Sequence, residues 1–137
     1  MKFLGRKPAA VDPAPAGVQS TTRQQGNAAE DRALAYLQAA GLHLLTRNYR
    51  TPGRGGGEID LVMRERDGTT VFVEVRSRAS QDFGGAAGSI GAAKQQRIVL
   101  AARFYLMRLA SPPPCRFDVV LVQDTQVQWL KAAFDAQ

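Results

Sequence analysis

Two acidic residues, Asp60 and Glu74, stand inside otherwise apolar stretches. A carboxylate in such a setting needs either a cation or a reaction to justify its desolvation. Residues 58–65 and 69–76 read as two strands around Asp67-Gly68. Side chains alternate along a strand, so Ile59, Leu61, Met63, Val71, Val73 and Val75 form one wholly apolar face. The other face carries Glu58, Asp60, Val62 and Arg64, then Phe72, Glu74, Arg76 and Arg78: apolar in the middle, charged at one end. A two-residue turn would pair Asp60 with Val75 and send the two acids to opposite faces. A three-residue loop, Arg66-Asp67-Gly68 with Gly68 left-handed in a bulge, pairs Glu65 with Thr69 and sets Asp60 opposite Glu74, with Arg76 near both. This register also aligns the two apolar faces, and a slip of one residue would turn the apolar set toward water.

Facing carboxylates repel unless something cationic relieves them. Each could be salt-bridged separately to an arginine, or the pair could hold a divalent metal. The apolar embedding of both acids, the cation that follows Glu74 and the glycine-rich loop 53–57 that leads into the first strand favour the metal. The chain has one histidine, His43, and one cysteine, Cys115, so oxygen must supply most ligands. That suits hard cations, Mg²⁺ or Mn²⁺. A lone cysteine also excludes an internal disulfide framework and a multi-cysteine zinc site.

The elements that must position these groups follow from periodicity. Residues 1–22 hold an Ala/Pro-rich stretch, expected as a disordered arm, and residues 23–137 hold the α/β domain. A helix is predicted over 23–40, from the spacing of Ala28, Ala29, Ala33, Leu34, Leu37 and Ala40, with Gly41 as terminator. A strand over 42–49 precedes the hairpin. The glycine-rich segment 79–91 lacks the Walker spacing and is read as a flap. A second helix is predicted over 92–109, with Ile98, Ala101, Ala102, Tyr105 and Leu109 on one stripe, stopped by Pro112-Pro113-Pro114. Residues 117–122 form a further strand, to which 127–130 can pair across Asp124-Thr125. The crossover through the second helix would make the 117–122 strand parallel to the hairpin's second strand. The fold class is α/β: a mixed sheet flanked by helices in the order αβββαβ, with an extra C-terminal strand available.

With 137 residues the chain suits one domain. Its net charge is +6, and the excess is local: from Arg76 to Arg116, seven Lys or Arg stand against one acid, Asp82. Arg47, Arg50 and Arg54 add a second basic stretch. Such a distribution fits either a polyanionic partner or a merely soluble basic surface. No apolar run approaches the length that spans a bilayer, and no signal-peptide region opens the chain, so a cytoplasmic location without membrane attachment is expected. Lys94 precedes Ile98 by one turn. It could reach the acidic pair from the second helix or simply be a solvated lysine at a helix start. Asp118 reads as structural, His43 as an ordinary strand residue, and Trp129 as either surface or interface.

The pattern Gly57-Glu58-Ile59-Asp60-Leu61-Val62, followed by Phe72-Val73-Glu74-Val75-Arg76-Ser77-Arg78, resembles the PD-(D/E)XK nuclease motif. More closely, the chain resembles the YraN family of bacterial proteins, related to Holliday-junction resolvases. That likeness includes Gly26, Ala29-Glu30, Lys94-Gln95, Arg116-Phe117-Asp118-Val119-Val120 and Trp129 to Phe134. It implies a restriction-endonuclease-like fold and a metal-dependent endonuclease acting on DNA, including branched DNA. Asp60 and Glu74 would hold Mg²⁺ with the Val75 carbonyl, and Glu30 would be the additional acid on the first helix. Arg54, Arg78, Lys94 and Arg97 would hold the nucleic-acid backbone, and a resolvase-like role would call for a symmetric homodimer. Arg76 departs from the motif's lysine. Arginine can hold the scissile phosphate but cannot serve as a general base, so the nucleophile would be water activated by the metal. The same substitution also fits a non-catalytic nucleic-acid-binding protein that keeps the fold.

Overall fold

The computed structural model describes residues 22–53, 55–77 and 90–136, with side chains from residue 26 onward. Helix α1 (Thr22–Ala39) opens this part of the chain. Ala29, Ala33 and Leu37, each four residues apart, are its buried contacts with the sheet, whereas Ala28 and Ala40 of the predicted stripe are exposed. The helix ends where Gly41 takes φ +103°. The Leu42 N–H reaches back to the Leu37 carbonyl and the Gly41 N–H to that of Gln38, both in about a normal bond length, and Leu37 packs with Leu42. This is the Schellman arrangement, which only a residue tolerant of left-handed φ closes without strain.

Strands β1 (His43–Arg50), β2 (Glu58–Arg64) and β3 (Thr70–Ser77) follow, then helix α2 (Ala92–Leu106), β4 (Cys115–Gln123) and β5 (Gln126–Phe134). They form a mixed five-stranded sheet in the order β1-β2-β3-β4-β5, with β3 and β4 parallel and the other pairs antiparallel. The parallel crossover through α2 and the C-terminal hairpin are as expected. Residues 1–21 of the arm and 79–89 of the flap lie outside the described residues, whereas Thr22 already belongs to α1 and Gly91 caps α2.

One face of the sheet packs on α1 and the other on α2, giving two apolar layers. The α1 layer gathers Leu61, Met63, Val71 and Val73, the face read from alternation. On the α2 side, Val62, Phe72, Phe117, Val119 and Leu121 meet Ile98, Ala101, Ala102 and Tyr105. Phe72 stacks on Phe117 at 5.5 Å and meets Tyr105 edge-on at 5.9 Å. Each such side chain, fully buried, contributes about 1.5–3 kcal/mol of hydrophobic stabilisation.

β2 ends one residue sooner than read and β4 is three residues longer, and the ends of α2 and β5 also differ from their sequence reading. α2 leaves the α-helical pattern at Leu106, and residues 108 and 109 continue with tighter bonds from Arg108 N–H to Tyr105 O and Leu109 N–H to Leu106 O. Leu109 therefore still packs against the core, but from a turn. β5 runs four residues past Leu130 because Asp118 on β4 holds it. The fully buried Asp118 carboxylate accepts from Trp129 Nε1, the Ala132 N–H and Arg116 Nε at 2.9–3.1 Å. Ala132 sits at φ +51° where the β4–β5 register shifts. Arg116 also contacts Glu65 on the β2–β3 connection. Asp118 is structural, as read. Trp129 joins the same network and meets Tyr36 of α1 edge-on at 6.4 Å, which makes it an intramolecular contact.

Candidate active site

The acidic pair depends on the hairpin register. Pairing of Leu61 with Val73 through Arg64 with Thr70 is the three-residue-loop register, and its continuation sets Asp60 opposite Glu74. Gly68 takes φ +93°, its N–H bonds to the Glu65 carbonyl, and the Glu65 N–H to the Thr69 carbonyl. Asp67 Oδ1 accepts from the Thr69 N–H at 2.9 Å, so the aspartate closes its own turn.

At the other end of the hairpin the ladder opens. In the alternation that begins at Glu65 and Thr69, Ile59 and Val75 would be the next hydrogen-bonded pair. Instead the Val75 N–H donates to Asp60 Oδ2 at 2.8 Å. The carboxylate takes the place of a main-chain carbonyl, which fixes it against β3. Ile59 is consequently released from the apolar face assigned by strict alternation. It packs with the α2 cluster, alongside Tyr49 of β1.

Helix α2 is seated directly on the start of β2. A Cβ on Gly57 would lie 1.9 Å from the Arg97 carbonyl oxygen, so the two backbones touch where only glycine fits. This contact brings the first turns of α2 over the acids. Lys94 Nζ lies 2.9 Å from Glu74 Oε2, and Arg97 and Ile98 line the same cleft. Thr51, Gly53 and Gly55 to Gly57 also line the cleft, and the Thr51 N–H donates to the Gly57 carbonyl. The cleft has a volume of about 400 Å³ and holds Asp60 and Glu74 beside these groups. Among the described residues, its cations are Arg50, Lys94 and Arg97.

Burial, with the negative charge of Glu74 next in effect, pushes Asp60 up to about 8, against the opposing pull of the Val75 N–H. Glu30 adds to the same push through its charge, so α1 delivers a third acid to the electrostatic field of the pair. Its side chain is nearly buried and is held by Arg47, whose Nη2 lies 3.3 Å from Glu30 Oε1 while Nη1 bonds Asp31 Oδ1 at 2.9 Å. Hydrogen bonding to Glu74 raises Lys94 above the ordinary lysine value, which keeps it an ammonium.

The predicted site residues thus divide. Asp60, Glu74, Lys94 and Arg97 come together in one cleft. Glu30 stands near enough to act on Asp60 by charge, tethered to Arg47. Arg76 lies two residues after Glu74, opposite Leu121 of β4 and partly buried. Arg54 and Arg78 lie outside the described residues. Among the described residues, Glu74 meets the Lys94 ammonium and Asp60 the Val75 main-chain N–H. Sequence reasoning missed Arg47 as the tether of Glu30, Thr51 and Glu58 as cleft residues, and the Gly57–Arg97 contact. The glycine immediately before Glu58 was the one available signal for that contact.

The donor set suits a hard cation. Asp60 and Glu74 converge beside a lysine ammonium, and among the described lining residues there is no His or Cys. Among the described residues no three His, Cys, Asp or Glu side chains gather as a complete set. Mg²⁺ commonly uses one or two carboxylates and completes its shell with water and substrate phosphate, so a two-acid site fits it.

The sequence model of the uncharacterised protein family UPF0102 matches residues 29–122. The chain belongs to this family. It is 69% identical over 136 residues to a UPF0102 protein of Paracidovorax citrulli (strain AAC00-1), with 99% of each chain covered. It is 65% identical over 141 residues to a UPF0102 protein of Verminephrobacter eiseniae (strain EF01-2), covering 100% of this chain and 98% of that one. A UPF0102 protein of Acidovorax sp. (strain JS42) is 64% identical over 136 residues, with 99% of each covered. The UPF0102 match spans every residue of the cleft and ends within β4, so β5 lies beyond it. Among the described residues, no helix is long and apolar enough to cross a membrane.

Proposed function

We propose that this UPF0102 protein is a metal-dependent endonuclease of the PD-(D/E)XK type, with a restriction-endonuclease-like fold, that hydrolyses phosphodiester bonds in DNA, branched DNA included. The observation that carries this reading is the pair Asp60 and Glu74, opposed at the point where the β2–β3 ladder opens, in a cleft whose other walls carry Arg50, Lys94 and Arg97. A carboxylate pair walled by cations suits a divalent metal on one side and a polyanion on the other.

Asp60 and Glu74 would hold Mg²⁺ or Mn²⁺. When bound, that ion supplies Lewis-acid polarisation of the phosphate and activation of the attacking water. Val75 positions Asp60 through its N–H, and the Gly57 contact holds α2 so that its cations face the acids. Arg50 and Arg97 orient the phosphodiester backbone across the cleft, and Arg76 adds positive charge along β3. Glu30, restrained by Arg47, strengthens the negative field that attracts the metal. A cytoplasmic location and a homodimer that presents two such clefts to a branched substrate belong to the same proposal.

The test is cleavage of labelled linear, flap and four-way-junction DNA by the purified protein with Mg²⁺ or Mn²⁺, against the same reactions with EDTA. Metal-dependent cleavage supports the nuclease, and the preferred substrate defines its class. Salt-sensitive DNA binding without cleavage under any metal would instead favour the non-catalytic binding protein to which Arg76, in place of lysine, already points.

A further inference from the structure

Glu74 is almost fully buried, with 9% of its side chain exposed, whereas Lys94, bonded to it at 2.9 Å, is half exposed. The acid is therefore fixed by the sheet, and the lysine is the movable member of the pair. Its ammonium is carried on a four-carbon stem at the start of α2, one turn before Arg97 on the same cleft wall. A divalent ion held by Glu74 would stand close to the ammonium already paired with Oε2 at 2.9 Å, and the two cations would repel each other there.

Resting on the metal site proposed above, we infer that Lys94 is an exchangeable counter-ion. In the metal-free protein it pairs with Glu74. A divalent metal displaces it, and the freed ammonium turns from Glu74 toward the cleft, where it meets a non-bridging oxygen of the DNA phosphodiester. One side chain thus pairs with Glu74 before the metal arrives and becomes a phosphate contact afterwards. This links metal occupancy to substrate binding through a residue that ligates no metal. It also gives the cleft a mobile lysine although the motif position on β3 is occupied by Arg76.

The experiment is calorimetric titration of Mn²⁺ into wild type, Lys94→Met and Lys94→Arg at pH 8, with Lys131→Met as a control outside the cleft, and cleavage rates measured on the same preparations. Removing the competing ammonium should tighten Mn²⁺ binding by about fivefold, the scale of one partly exposed ion pair. The same Lys94→Met change should slow cleavage at saturating metal, a combination of opposite signs that a structural lysine would not produce. Lys94→Arg should leave the metal Kd within about twofold of wild type, since it keeps the charge. Unchanged or weaker Mn²⁺ binding by a folded Lys94→Met would overturn the exchange while leaving the nuclease standing. Tighter binding with unchanged cleavage would refute the transfer to phosphate. If neither wild type nor Lys94→Met binds Mn²⁺, the metal site itself is refuted and the exchange with it.

Discussion

Protons and metal must compete for Asp60, and the strength of that competition can be worked out. The perturbation is pH. With Asp60 pushed up to about 8 by burial and by Glu74, its carboxylate is mostly protonated at neutral pH in the metal-free protein. A metal needs the ionised form, so binding must expel a proton. Below the Asp60 value, apparent metal affinity should rise about tenfold per pH unit, and above it the affinity should level off. The ionised fraction is about 1% at pH 6 and about half at pH 8, which predicts roughly a fiftyfold gain in affinity across that interval. Mn²⁺ titration at pH 6, 7 and 8, repeated in buffers of different ionisation enthalpy, reads both the affinity and the released proton. At pH 6.5 close to one proton should leave per metal bound. A Kd that stays flat from pH 6 to 8, or a transition near pH 4 as for an exposed carboxylate, would refute the reasoning about how the pair is buried.

The same shift acts on stability without metal. The folded-state value of Asp60 is raised above 3.8, so folding is most favoured below that pH and loses this contribution as pH rises through about 8. The melting temperature of the metal-free protein should fall between about pH 4 and pH 8 and level off above that, and Asp60→Asn should remove the decline. Gly57→Ala places a methyl 1.9 Å from the Arg97 carbonyl, a clash with backbone that no side-chain rotation relieves. It should destabilise by about 1–3 kcal/mol in urea unfolding and reduce cleavage further than stability alone explains, since α2 carries Lys94. Asp118→Ala leaves Arg116, Trp129 Nε1 and the Ala132 N–H without their buried acceptor. Its cost should be about 3–5 kcal/mol, with the metal Kd of the folded fraction unchanged.

Much of the fold was legible because its signals are local. Alternation in the hairpin, glycine at Gly41 and Gly68, and the four-residue spacing of Ala29, Ala33 and Leu37 each specify one geometry, and the structure has those geometries. The opposition of Asp60 and Glu74 followed from the hairpin register alone. What escaped depends on tertiary contact. Ile59 changes face because a side chain, the Asp60 carboxylate, replaces a main-chain acceptor, and alternation carries no sign of that. β5 outruns its apolar pattern because a buried acid on another strand holds its end. Lys94 could be placed near the acids by helical spacing, yet its choice of Glu74 rather than solvent required the Gly57–Arg97 contact that seats α2. Arg47 was visible only as one more basic residue, because its link to Glu30 joins β1 to α1 across sixteen intervening positions.

The central claim is that the Asp60–Glu74 pair is a hydrolytic metal centre. Its most direct measurement is single-turnover cleavage of labelled DNA with saturating Mn²⁺ by wild type, Asp60→Ala and Glu74→Ala, purified identically and matched for folded fraction. Wild type should cut, and both variants should lose at least about a hundredfold in rate, the scale expected when a group that sustains the reacting centre is removed. Equal cleavage by all three, or none by wild type on any substrate, would contradict it.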